Sequence, residues 1–161
     1  VEIRLQPGAP GASGTSLGFK CKQPVILVWQ PEESRHTSKY IDDEIWQTKI
    51  TKAGHKALNK IKSGPWDHSR WKDILDQSSN FCQESELISE PERKQFLDAV
   101  MSIVRSVELQ SYVRIRLCML GVSCVILPTK LDRMLSDEEL DLLKSKFSEK
   151  GLESLITGID C

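Results

Sequence analysis

The chain has 161 residues, the size of one domain with a substantial buried core. Its 22 basic and 23 acidic side chains leave a formal net charge of −1, so any affinity for nucleic acid would have to come from a local basic patch. No window reaches the roughly eighteen apolar residues that a membrane-spanning helix needs, and no charged leader followed by an apolar run opens the chain.

The N-terminal part predicts two strands separated by a long loop. Val1–Leu5 alternates apolar and polar residues, as a half-buried strand does. Residues 6–18 are rich in glycine and proline, which predicts a flexible surface loop. Residues 19–29 read as a second strand, and we expect the two strands to pair as a hairpin. Two strands are marginal alone, so a third strand or packed helices should support them.

Residues 41–63 predict a basic amphipathic helix. Lysines recur every three or four residues along one stripe: Lys49, Lys52, Lys56 and Lys60. An apolar stripe follows the same period beside it: Trp46, Ile50, Ala53, Ala57 and Ile61. Because no acidic residue occurs between Gln47 and Pro65, we expect one face to be buried while the next presents four uncompensated cations.

Two further helices are expected before residue 121. Asp67 as an N-cap predicts a short helix that ends within Gln77–Asn80, with Trp66 and Trp71 in contact as a hydrophobic staple. Ser89 and Glu92 form a capping-box pattern around Pro91, which predicts a helix from about Glu90. Helical spacing resumes at Leu109 and runs to Leu120, and the sequence leaves open one long helix or two joined near Glu108. On that helix Arg105 and Arg116 would share a face.

The C-terminal part predicts one strand and one more helix. Val122–Leu127 is short, apolar and β-branched, as a buried strand completing the sheet would be. Ser136 and Glu139 make another capping box, with Leu135 and Leu140 as its staple and Gly151 as the C-terminal cap. We expect residues 152–159 to add only a ragged turn.

Together these elements predict one domain over residues 1–161. Its class is α+β and helix-dominated, with about four to five helices and a small N-terminal β-hairpin or three-stranded sheet. Five widely spaced cysteines, an odd number, predict reduced thiols and an intracellular protein of the cytoplasm or nucleus.

The sequence shows no motif typical of a catalytic, phosphate-binding or metal-binding site. The Gly-rich loop lacks the lysine of a phosphate-binding loop, and no helix signal follows it. Histidine and cysteine show no metal-binding spacing, and no serine or cysteine lies in a nucleophile motif. The acidic clusters lie at predicted helix starts, where they complement the helix dipole. We therefore expect neither an enzyme nor a bound metal or cofactor.

The lysine stripe is the one functional lead, and Lys62 and Arg70 extend it beyond the helix end. One interpretation is a protein–protein adaptor or assembly module, viral or nuclear by analogy, whose basic helix meets a protein partner with an acidic surface. The alternative is a module that binds nucleic acid or an anionic membrane surface through the same lysines. A third possibility is an ordinary solvated helix face.

Overall fold

The computed structural model describes residues 2–3, 15–16, 21–31, 40, 42–65, 67–118 and 121–159. Its strands are β1 (Glu2–Ile3), β2 (Thr15–Ser16), β3 (Cys21–Trp29), β4 (Val113–Leu117), β5 (Ser123–Pro128) and β6 (Glu153–Ile159). Its helices are α1 (Glu44–Ile61), α2 (Trp71–Glu84), α3 (Pro91–Ser106) and α4 (Asp137–Glu149), with 3-10 turns at His68–Arg70 and Leu87–Ser89. The predicted helix-dominated α+β class is confirmed, although the strands lie in both the N-terminal and the C-terminal parts.

The main sheet is four-stranded and antiparallel, in the order β4-β5-β3-β6. β3 is central, because β5 and β6 pair with its two edges. The predicted hairpin between residues 1–5 and 19–29 is therefore wrong. β1 pairs instead with β2, which falls inside the stretch predicted to be a loop. An unbroken apolar run such as Val25–Trp29 suits a central strand covered on both faces.

The connectivity of this sheet is the split β-α-β arrangement of ferredoxin-like domains. β3 leads through helices to β4, β4 turns directly into β5, and α4 leads to β6. Side chains of α3 and α4 share one hydrophobic core with the sheet, for example Val100, Phe147 and Ile26. α1 and α2 are an insertion between β3 and α3. Since this topology serves many unrelated functions, it does not by itself indicate one.

Two segments that were not predicted as strands are strands. α3 ends at Ser106, and residues 113–117 form β4, so the predicted continuation of a helix to Leu120 is wrong. Apolar residues alternate there with Arg114 and Arg116, which is the period of a strand, and Val113 and Leu117 are buried. Residues 153–159 form β6 rather than a ragged turn, because β3 offers a second edge for them to pair with.

The helix caps confirm one capping box and correct the other. Around α4, the Glu139 amide donates to Ser136 Oγ at 3.2 Å, and the Ser136 amide donates to Glu139 Oε2 at 2.9 Å. Gly151 follows with a φ of +70°, as expected of a C-terminal cap. At α3 the N-cap is Glu90 and not Ser89, and no side chain caps the helix.

The staple proposed for the second predicted helix is only partly described. Asp67 caps the 3-10 turn that leads into α2, as predicted. α2 then runs to Glu84, beyond the predicted end within Gln77–Asn80. Trp66 lies outside the described residues, so its predicted contact with Trp71 is outside them as well. The Trp71 indole is buried and donates to the Pro128 carbonyl at 2.8 Å, which docks α2 on the end of β5.

Candidate interaction surface

α1 forms where the lysine-bearing helix was predicted. Asp43 caps it by accepting hydrogen bonds from the Ile45 and Trp46 amides at 2.9 Å. The apolar stripe faces inward, because Ala53 is buried and Trp46 and Ile50 pack against a small core of Tyr40, Cys82, Leu87 and Leu117. α1 is therefore amphipathic as predicted, with its lysine stripe bordering the buried side.

α1 and α2 form an antiparallel helical hairpin. A Cβ atom on Gly54 would lie 3.8 Å from the ring of Phe81, which shows how closely the two helices approach. Arg70 holds the turn between them. Its guanidinium donates to the carbonyls of Ser63 at 2.9 Å and Lys60 at 3.3 Å, and pairs with Asp73 at 3.2 Å. Arg70, a predicted binding residue, thus satisfies carbonyls at the end of α1.

Two lysines of the stripe are neutralised by carboxylates at the C-terminal end of α2 and in the turn that follows it. Lys49 Nζ lies 2.5 Å from Glu86, and Lys56 Nζ lies 2.5 Å from Glu84. The prediction of four uncompensated cations is therefore wrong for these two residues. Both pairs are largely exposed, so each contributes at most about 1 kcal/mol to stability. Their effect is to lower the positive potential of the stripe.

The remaining lysines of the predicted site are exposed: Lys52, Lys60 and Lys62. Over the residues that the structure describes, none of them forms an ion pair. Lys52 lines a shallow depression on the outward face of α1 together with Gln47, Thr48, Thr51 and His55. Ile45, two turns before Lys52, is 67% exposed. The outward face of α1 thus offers an apolar side chain, a cation, a histidine and hydroxyl groups.

Arg105 and Arg116 do not form the further basic face that the sequence predicted. Arg105 is exposed on α3, while Arg116 lies on β4, so the predicted common helix face is wrong. Arg116 Nε donates to the Leu75 carbonyl at 2.9 Å, which ties β4 to α2. Within residues 44–86 the sequence has seven basic and six acidic side chains, so the hairpin is close to neutral as a unit.

The described thiols are unsuited to nucleophilic chemistry. Cys82, Cys118 and Cys124 are free, and burial raises the pKa of each above its ordinary value. A raised pKa keeps the thiol protonated, and the thiol is a far weaker nucleophile than the thiolate. No group of three potential metal ligands comes together in the described parts of the chain. None of the described helices is long and apolar enough to cross a membrane.

A second concave site was missed by the sequence reasoning. It is a cavity of about 380 Å³ at the end of the β4–β5 hairpin, lined by Ser111, Tyr112, Thr129, Lys130, Asp132 and Arg133. These residues come from two segments that meet only because β4 pairs with β5. Since residues 109–120 were predicted to be helical, no signal in the sequence brought the segments together.

Comparisons with known proteins do not identify this chain: no family model, no curated protein and no solved structure matches it. The function of either site must therefore be inferred from its own residues.

Proposed function

We propose that this chain is a non-enzymatic interaction module that docks another protein on the outward face of α1. One observation carries the proposal: an exposed apolar side chain, Ile45, lies two turns before Lys52 on the same face of α1, and Lys52 forms no ion pair among the described residues. An apolar anchor surrounded by polar contacts is how protein interfaces are commonly organised. The complementary partner is a segment that carries acidic groups next to an apolar side chain.

A protein partner fits this surface better than nucleic acid or an anionic membrane. With Lys49 and Lys56 paired to glutamates, three lysines remain to contact phosphates. Three contacts would give a log–log salt slope of only about −2 to −3, which is weak for a nucleic-acid binder. The near balance of charge over the hairpin also reduces long-range attraction to a polyanion. The proposal includes an intracellular location, cytoplasmic or nuclear, which the free thiols support.

The test compares three kinds of partner on the same protein. An acidic amphipathic peptide of glutamate and leucine, a single-stranded RNA and anionic vesicles are titrated by fluorescence anisotropy or co-sedimentation across a salt series. We expect the peptide to bind with the highest affinity. The double variant Ile45→Ala with Lys52→Glu should weaken peptide binding by about tenfold or more, because it removes the anchor and reverses the charge.

The matched control is Lys144→Glu, an exposed lysine of α4 on another face of the molecule. It makes the same charge reversal and should leave peptide affinity unchanged. If the peptide fails to bind, or if Lys144→Glu weakens it equally, the docking proposal is rejected. RNA or vesicle binding at physiological salt that Lys52→Glu with Lys60→Glu removes would establish the alternative function instead.

A further inference from the structure

The cavity at the end of the β4–β5 hairpin is a second, independent candidate site. Val113 pairs with Pro128 in the sheet, and the Thr129 amide donates to the Tyr112 carbonyl at 2.7 Å. This contact brings Tyr112 and Thr129 together at one wall of the cavity. Lys130, Asp132 and Arg133 follow on the connection to α4 and complete the other side. The volume of about 380 Å³ is at the small end of ligand-binding pockets.

Arg133 is held in place before any ligand arrives. Its guanidinium carbon lies 3.6 Å from the centre of the Tyr112 ring, a cation–π contact, and its Nη2 donates to Glu139 Oε1 at 2.8 Å. Glu139 is itself fixed by the capping box with Ser136. A side chain restrained by two such contacts loses little conformational entropy on binding, so it is preorganised.

One charged hydrogen-bond donor at this site lacks an acceptor among the described residues. Arg133 Nη1 is shielded from solvent and has no acceptor among them. A buried donor without a partner is unfavourable, and more so when it is charged. Thr129 Oγ1 already accepts from Arg114 Nη1 at 3.2 Å, so its own hydroxyl proton is free to be donated. Lys130 and Ser111 add an ammonium and another hydroxyl to the lining.

We propose that this cavity binds a small molecule that bears one oxyanion group, a carboxylate or a phosphate. The oxyanion accepts from the Thr129 hydroxyl and the Lys130 ammonium, and the Arg133 charge favours it. Asp132 disfavours anion binding, because its carboxylate lines the same cavity and repels a negative charge. That repulsion favours a singly charged group over a dianion. The site is separate from α1 and does not depend on the docking proposal.

The experiment uses acetate and inorganic phosphate as probes. Each is titrated into the isotopically labelled protein, with sodium chloride at matched ionic strength as the blank, and the amides around residues 111–112 and 129–133 are followed by NMR. We expect saturable shifts with at least one probe and none with chloride. The probe that binds more tightly shows whether the natural ligand presents a carboxylate or a phosphate.

Three variants distinguish binding in this cavity from a non-specific effect of the protein's charge. Lys130→Gln, which changes an exposed side chain, should weaken binding by up to about fivefold, as expected for one exposed charge. Asp132→Asn should strengthen binding by a similar factor. Partial unfolding of a variant can only weaken binding, so it could not account for an increase in affinity. Lys144→Gln, on α4 and outside the cavity, should have no effect.

Absence of saturable binding of both probes overturns the proposal. It is equally overturned if Lys144→Gln weakens binding as much as Lys130→Gln does, or if Asp132→Asn brings no increase in affinity. Thr129→Val provides a further check, because it removes the hydroxyl and nearly preserves the shape. If affinity survives Thr129→Val unchanged, the oxyanion is not held as proposed.

Discussion

Arg93 is the charged residue most fully enclosed in the described part of the molecule. It is 0% exposed, and its Nε lies 2.7 Å from Glu90 Oε2. The Tyr40 hydroxyl donates to the same carboxylate oxygen at 2.7 Å, and the Arg93 guanidinium lies 5.1 Å from the Tyr40 ring. These contacts join Tyr40, four residues before α1, to the N-terminal end of α3. The Glu90 carboxylate is engaged in this cluster, which explains why it does not cap α3.

Arg93→Ala should lower the free energy of unfolding by about 3–5 kcal/mol, because it removes the buried cation that pairs with the Glu90 carboxylate. Urea denaturation of the wild-type and variant proteins measures this loss. Arg105→Ala removes an exposed arginine from the same helix and should change stability by no more than about 0.5 kcal/mol. A loss below about 1 kcal/mol for Arg93→Ala would show that the cluster contributes little.

At the scale of single elements, the cap of α4 links stability to pH. Ser136→Ala should destabilise the protein by about 0.5–2 kcal/mol, because the Glu139 amide loses its acceptor. The hydrogen bond from the Ser136 amide, aided by Arg133, lowers the pKa of the Glu139 carboxyl below its ordinary value. A lowered pKa means that this contribution is present above the unfolded-state pKa of glutamate and is lost as pH falls through the folded-state pKa.

The stability difference between wild type and Glu139→Gln should therefore be larger at neutral pH than in acid. Thermal or urea unfolding at several pH values measures it. The control is Asp137→Asn, an exposed neighbour whose side chain forms no hydrogen bond with Ser136 among the described residues. A difference that stays constant with pH would contradict the assigned role of the ionised carboxylate.

The elements that could be predicted from the sequence are those with local signals. α1 and α4 have apolar residues at helical spacing over several turns and a suitable N-cap residue. β5 is a short β-branched run ended by proline. For these three elements the local sequence was sufficient to predict the structure. β6 depends on a partner distant in the sequence, because it pairs with β3. β4 was missed for a local reason, because a five-residue strand with two arginines resembles one face of a helix. The ion pairs of Lys49 and Lys56 could not be predicted, because they require α2 to extend to Glu84 and to lie antiparallel to α1.

At the scale of the whole molecule, the sheet and the helical hairpin should differ in local stability. β3 is paired on both edges, and Ile26 and Val28 are fully buried in the larger core. α1 buries only Ala53 among its own residues. Because amide protection follows burial and pairing, we expect hydrogen exchange at Ile26–Val28 to be slower than in α1 by orders of magnitude. Equal protection in both would mean that the hairpin and sheet open together.

The central place of β3 also bears on how the chain is made. Ile26 pairs with Ile126 on one side and with Ile156 on the other, so the earliest strand of the main sheet closes with the latest. During synthesis on the ribosome the apolar strand β3 emerges long before β5 and β6 have been made. Pairing between strands so far apart in the sequence is slow, and an unpaired apolar strand can aggregate with other nascent chains in the meantime. The topology thus leaves one edge of β3 unpaired until β6 has been synthesised.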